Sequence, residues 1–228
     1  MRRRSFFGRL ARGSAWVALI LVCGFFALVP LYAFVTPVST LMLMRTLTGK
    51  GYERTVARLE DVAPVARASV AASEDATFCR NDGVDWGALQ EVVRSAGKNG
   101  PRRGASTITM QTAKNLFLWP GPSVVRKGIE IGMALVLGKA WSKKRTMEIY
   151  LNVAEWGDGL FGVEAAAERY FHKRASQLDA REGALLATAL PNPKARDPAH
   201  PGALQRRRAA DVMARAAQEI EELKCLVR

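Results

Sequence analysis

Between Arg12 and Arg45 the chain carries no charged residue, and Ala15 to Val35 is almost unbroken apolar sequence. As a helix, such a run of about 21 residues spans a hydrocarbon layer of about 30 Å. The pattern therefore predicts a single N-terminal transmembrane helix over 14–38, behind a basic tail at 1–13. Pro30 falls inside the run, where a spanning helix accommodates it as a kink. Trp16 and Tyr32 lie near its two ends, where amphipathic rings favour the membrane interface. A cleaved signal peptide is the competing reading. Its apolar stretch would be shorter, about 7–15 residues, and would lead to a small-residue cleavage site, for which TPVST is a poor match.

Beyond a membrane-proximal linker at 39–60, apolar positions recur at three- and four-residue spacings. RTVARLEDV and VARASVAAS show this period, and WGALQEVVRSAG puts Trp86, Leu89, Val92 and Val93 on one face. ITMQTAKNLFL, VVRKGIEIGMALVLGKA and RTMEIYLNVAEW continue it, and VEAAAERYF and AREGALLATAL are rich in the best helix former. GALQRRRAADVMARAAQEIEELKCL reads as one long amphipathic helix after the Pro-rich break LPNPKARDPAHPG. Gly and Pro gather between these segments, in KNGPRRG, WPGPS, WGDGLFG and PNPKARDP, which read as loops. The prediction is an all-α domain over 61–228.

Charge adds a location. The 228 residues carry a formal net charge of +13, and residues 1–40 contribute five Arg and no acid, leaving +8 for the remainder. Positive residues flanking a span stay in the cytoplasm, so the helical domain is expected outside. A basic domain tethered there suits anionic lipid headgroups or an anionic wall. Nucleic acid lies in the wrong compartment, and neither a zinc finger nor an aromatic RNA-binding strand motif occurs. With 49% hydrophobic residues the chain has enough apolar surface to fold. HExxH, CxxC and GxxxxGK[ST] are absent, which removes zincin, zinc-ribbon and P-loop readings. Cys79 and Cys225 are expected as unpaired thiols, with a bridge in an oxidising compartment as the alternative.

Four stretches put polar residues where helix packing alone would not. Glu74 and Asp75 are adjacent acids; on a helix they point about 100° apart, so one can face a cleft while the other caps or pairs. In RRGASTITMQTAKN, a basic Gly-containing loop runs into a helix on which Gln111, Lys114 and Asn115 share a face. Free N–H groups at a Ser/Thr-rich helix start favour an anion, while an ordinary N-cap is the plain alternative. Arg126, Lys127 and Glu130 open a very apolar helix, and Lys144 and Glu148 stand four residues apart in the fourth stretch. Each of the last two could be only a surface pair.

Taken in order, EDxxF, G-x-STITMQ-x-AKNLFL, RKxxE and KxxxExYLN resemble the peptidoglycan glycosyltransferases, in their monofunctional biosynthetic form. The resemblance continues through Gly162–Ala166, Tyr170-Phe171 and Leu190-Pro191-Asn192-Pro193, covering roughly residues 60–205. It implies a lysozyme-like helical fold in the bacterial inner membrane, single-pass, with the domain in the periplasm. The implied reaction joins a lipid-linked glycan donor to the 4-hydroxyl of lipid II, with inversion and release of undecaprenyl pyrophosphate.

The resemblance assigns Glu74 as catalytic base and Glu130 as the second essential carboxylate. Asp75, Phe78, Arg103, Ser106, Thr107, Gln111, Lys114, Asn115, Arg126, Lys127 and Lys144 are the expected substrate-binding residues. No metal ligands or required cofactor are implied, and a divalent metal stays open. Implied partners are lipid II, the growing strand, the membrane, and cell-wall synthesis or division proteins. A lysozyme-like lytic enzyme and an inactive tethered scaffold are the alternatives. Two departures stand out: Asn81 replaces the His usual in EDxxFxxHxG, and Ala105 replaces the second Gly of GGST. Asn81 cannot titrate, so it carries no proton.

Overall fold

The computed structural model of the chain describes residues 2–95, 105–121, 123–218 and 222–227. It divides into two compact units, Met1–Val35 and Thr36–Arg228. The first is a single helix, α1 (Arg2–Tyr32). Within it the 21 residues Arg12–Tyr32, with an 18-residue stretch of mean hydropathy 2.3, are long and apolar enough to cross a membrane. Helical structure extends back through the Arg-rich tail, since Arg is a good helix former.

The second unit begins with an N-cap. Ser39 Oγ accepts from the Met42 amide at 3.1 Å and starts α2 (Thr40–Leu47). Met42 is buried, whereas Leu43, Met44 and Leu47 are exposed. The Thr40 hydroxyl donates to the Leu118 carbonyl at 2.8 Å, just beyond α5 (Ile108–Phe117).

The helix expected over RTVARLEDV is not there. Glu53–Arg54 forms β1, and Leu59–Asp61 is a single 3-10 turn. The intervening backbone finds its partners on α7 (Lys143–Val153) instead of in a helix. Asn152 Oδ1 accepts from the Ala57 amide at 2.9 Å, and its Nδ2 donates to the Ala57 carbonyl at 2.7 Å. One turn back, Glu148 Oε2 accepts from the Leu59 amide at 2.7 Å. Side chains with two-sided hydrogen bonding thus hold an extended segment whose periodicity alone reads as helical. WGDGLFG, read as a loop, supplies β2 (Glu155–Gly157) and β3 (Leu160–Phe161). The small sheet has the order β1-β3-β2, with β1 parallel and β2 antiparallel to β3.

The core is built on small residues. α3 (Pro64–Glu74) starts on Pro64, whose missing N–H costs nothing there, and buries Ala66, Ala68, Ser69, Val70, Ala71 and Ala72. It crosses α9 (Ala180–Ala189) so closely that a Cβ at Gly183 would stand 2.8 Å from Ala66 Cα. α10 (Ala203–Gln218) packs on both. α4 (Trp86–Ser95), α6 (Val124–Ala140) and α8 (Val163–Phe171) complete the main helices. Gly138 lets α6 lie against the 82–83 turn: a Cβ there would come 2.0 Å from the Asp82 carbonyl oxygen.

The C-terminal segment also departs from expectation. In place of a single long helix there are α10 (Ala203–Gln218) and, after a turn at 222–223, a short α11 (Lys224–Val227). Cys79 and Cys225 are not free thiols; they form a disulfide across 146 residues. Leu223 and Leu226 are fully buried, Arg67 Nη1 donates to the Leu226 carbonyl at 2.7 Å, and Arg80 pairs with Glu222 at 2.9 Å. These contacts bring together sequence-distant cysteines that spacing alone could not pair.

Candidate active site

Glu74 closes α3, and the chain turns at Asp75, so the two adjacent acids part. Glu74 lines a cleft of about 530 Å³ with Ser73, Ala105, Ser106 and, from α10, Arg215. Its Oε2 accepts from Gln111 Nε2 at 2.8 Å, and Gln111 Oε1 accepts in turn from the fully buried Tyr150 hydroxyl at 3.3 Å. Burial pushes the Glu74 carboxyl above its ordinary value; hydrogen bonds from Gln111 and Ser73, with Lys114 and Arg196 nearby, oppose that rise.

Asp75 does the holding. Its Oδ2 accepts from the Ile108 amide at 3.0 Å and its Oδ1 from Asn81 Nδ2 at 2.9 Å. Thr107 caps α5, accepting from the Met110 amide at 3.1 Å and donating to the Gly83 carbonyl at 2.6 Å. Of the two readings of the α5 N-terminus, an anion cradle or an ordinary N-cap, the structure shows the cap, with the free Ile108 amide met by a carboxylate of the protein. Asp75 and Thr107 fix the geometry of the cleft floor; their polar atoms are committed. Asn81, one of the two departures noted in the sequence, also accepts from the Gly83 amide and from Lys143 Nζ, both at 3.0 Å. It braces the turn after Glu74.

Two of the expected substrate-binding residues stand apart from the cleft. Phe78 is fully buried in the core and offers no surface to a substrate; the Lys143 ammonium lies 4.7 Å from its ring centroid. Lys144 is exposed and outside this network, and its expected partner Glu148 pairs with Arg145. Ser142 caps α7 and makes Lys143 its first residue, so Lys143, which sequence reasoning passed over, is the lysine that reaches Asn81.

The second carboxylate sits in a cationic nest. Ser123 caps α6, accepting from the Arg126 amide at 3.2 Å, and this sets the phase of RKxxE. Glu130 is only 2% exposed; its Oε2 meets Arg126 Nη1 and its Oε1 meets Lys127 Nζ, each at 2.7 Å. Lys127 Nζ also donates to Ser106 Oγ at 2.6 Å, and Ser106 lines the Glu74 cleft. Lys114 lies within electrostatic reach of Glu130, Arg126, Lys127 and Glu74. Burial draws its ammonium below the ordinary lysine value, and the two glutamates resist that shift. Ser106, Lys127 and Lys114 therefore link the two carboxylates into one polar tract. Asn115 lies half-buried on the same helix as Gln111 and Lys114, while Arg103 lies outside the described residues. Tyr150 belongs to the KxxxExYLN motif, but nothing local marked it as the partner of Gln111; Arg196 and Arg215 were not singled out in the sequence, since no local pattern sets them apart from surface residues.

A helical domain with a buried carboxylate lining a cleft, and a second carboxylate locked among cations that reach the cleft through Ser106, has the makings of an enzyme site for acid–base chemistry beside an anionic group. The chain belongs to the transglycosylase family, whose model matches residues 41–217. It is 50% identical over 198 residues to a biosynthetic peptidoglycan transglycosylase of Agrobacterium fabrum, covering 86% of this chain and 88% of that protein. A Brucella suis protein of the same name is 49% identical over 210 residues, 92% of this chain and 94% of its own. One from Mesorhizobium japonicum is 48% identical over 230 residues, 99% and 97% respectively. The family domain is lysozyme-like, in keeping with the helical fold described above.

Proposed function

We propose that this chain is a peptidoglycan glycosyltransferase that polymerises lipid II into β-1,4 glycan strands with inversion. Family membership and the relatives' shared name support the reaction class, and the tract joining Glu74 to Glu130 supports its assignment to residues. Glu74 takes the proton from the acceptor's 4-hydroxyl. The freed oxygen attacks the donor's anomeric carbon, and the bond to the diphosphate oxygen breaks with its electron pair leaving on that oxygen. A base with a raised pKa suits this step, because it holds an abstracted proton more firmly than an ordinary carboxylate.

Lys114, Arg126 and Lys127 meet the charge that develops on the departing diphosphate. Glu130 keeps Arg126 and Lys127 fixed, so little reorganisation accompanies bond breaking. Ser106, Gln111 and Asn115 are assigned to substrate oxygens. In this reading 14–38 anchors the protein in the inner membrane, 1–13 stays cytoplasmic, 39–60 lies next to the bilayer and 61–228 works in the periplasm on a lipid-borne substrate. Exposed Leu43, Met44 and Leu47 on α2 are the apolar side chains available to meet that bilayer.

The test is direct. Full-length protein in detergent, given labelled lipid II, is expected to make strands that a muramidase digests, and a phosphoglycolipid such as moenomycin is expected to stop it. Release of soluble fragments from finished wall, with no polymer from lipid II, would support the lytic alternative and overturn this reading.

A further inference from the structure

A second set of cations approaches Glu74 from elements other than those carrying the diphosphate clamp. The segment after α9 supplies Arg196, and α10 supplies Arg208 and Arg215. Together with Ser73, Thr188 and Asp211 they line a pocket of about 260 Å³. Ser73 and Arg215 also line the Glu74 cleft, so pocket and cleft are contiguous. Arg196 is half-buried, with Nη1 donating to the Thr188 carbonyl at 2.5 Å.

Charge in this pocket is unbalanced. Among the described residues, none of the three arginines has a carboxylate oxygen within 4.0 Å, although Asp211 shares the pocket. Arg215 Nε instead faces the Asp211 backbone carbonyl at 3.4 Å. Burial and the neighbouring Arg208 charge lower the proton affinity of Arg196, with Glu74 opposing. Like charges held together at a concave surface beside a reactive carboxylate favour an anionic ligand, and guanidinium groups suit the planar oxygens of carboxylate and phosphate.

Both substrates of the proposed reaction are anionic, and Lys114, Arg126 and Lys127 serve the donor. We propose that Arg196, Arg208 and Arg215 form a separate subsite for an oxyanion of the acceptor, positioning its 4-hydroxyl at Glu74. The inference rests on the reading that Glu74 activates the acceptor. Carboxylates of the acceptor's peptide and oxygens of its own diphosphate share the required chemistry.

The experiment compares full-length wild type with Arg208→Gln, an exposed and structurally mild change, and with Arg196→Gln/Arg208→Gln. Polymerisation is measured against lipid II concentration, using intact lipid II and lipid II whose peptide carboxylates are amidated. Loss of charge-assisted contacts is expected to raise KM about tenfold or more in the double variant, with kcat changed much less. If peptide carboxylates are the ligand, amidation raises the wild-type KM to that of the variant and leaves the variant unchanged. If the acceptor diphosphate is the ligand, both substrates show the same penalty. Unchanged KM in both variants with both substrates overturns the proposal.

Binding of labelled lipid II to the Glu74→Gln protein, with and without the two arginine changes, gives an independent readout. Arginine-dependent binding without wild-type polymer would uphold the subsite and reject the Glu74 reading. Binding indifferent to the arginines would reject the subsite while leaving that reading intact.

Discussion

Gln111 donates to Glu74 at 2.8 Å across 37 residues of sequence, and Tyr150 holds Gln111 from behind. The hydrogen bond stabilises the ionised carboxylate against the burial that raises its pKa. Gln111→Leu removes that support without adding charge. The Glu74 pKa is then expected to rise further, moving the acid limb of the kcat/KM pH profile to higher pH. Tyr150→Phe is expected to shift the limb in the same direction by less. A limb that stays in place in Gln111→Leu would show that another group controls it.

Glu74 itself carries a stability cost that follows from the sign of its shift. Its folded pKa lies above the ordinary 4.5, so the folded protein binds a proton there more tightly than the unfolded chain does. The corresponding stability is present below the ordinary pKa and is lost as pH rises through the folded value. Glu74→Gln removes the penalty, so its Tm near pH 7 is expected at or above that of wild type. The difference is expected to vanish by about pH 3, where the carboxyl is protonated in both states. Paired thermal melts at the two pH values measure this.

The Cys79–Cys225 bridge sits five residues after Glu74 and ties α11 beneath that turn. Reduction, or Cys79→Ser with Cys225→Ser, is expected to lower stability by about 2–4 kcal/mol, with an upper bound of about 5 kcal/mol for a loop this long. Denaturant titration with and without reductant checks the value. Because the bridge lies next to the site, activity at 37 °C should fall along with stability.

Gly138 allows α6, which carries Arg126, Lys127 and Glu130, to approach the 82–83 turn. Gly138→Ala forces the helix or the turn to move, at roughly 1–3 kcal/mol for an overpacked contact. Lipid II turnover should fall even where the protein stays folded, since the cations shift relative to Glu74. An exposed control, Gly132→Ala on the same helix, meets nothing within 4 Å and should be neutral or mildly stabilising.

Helix content and the order of polar motifs were legible along the chain because each rests on local periodicity or short spacing. Long-range closures were not. The backbone partners of Asn152 at Ala57 lie 95 residues away, which is why RTVARLEDV reads as a helix and folds as a strand and turn. The same limit hid the disulfide, whose cysteines meet only through the burial of Leu223 and Leu226.

Within the site, residue types were readable and their phases were not. Lys143 and Lys144 are equivalent in composition; only the cap at Ser142 turns the first toward Asn81 and leaves the second in solvent. Asp75 and Phe78 belong to the motif around Glu74, yet one is spent on the α5 amide and the other on the core. Arg196 and Arg215 gain their setting from packing of α9 and α10, which no short motif encodes.

The central claim is that one carboxylate, raised by burial, accepts the acceptor's proton. Initial rates of polymer formation from labelled lipid II by wild type and Glu74→Gln, at equal folded concentration, test it most directly. Loss of a general base predicts a fall of at least about 10²–10⁴-fold in kcat with lipid II binding retained. Polymer formed by Glu74→Gln at within a few-fold of the wild-type rate would contradict the claim.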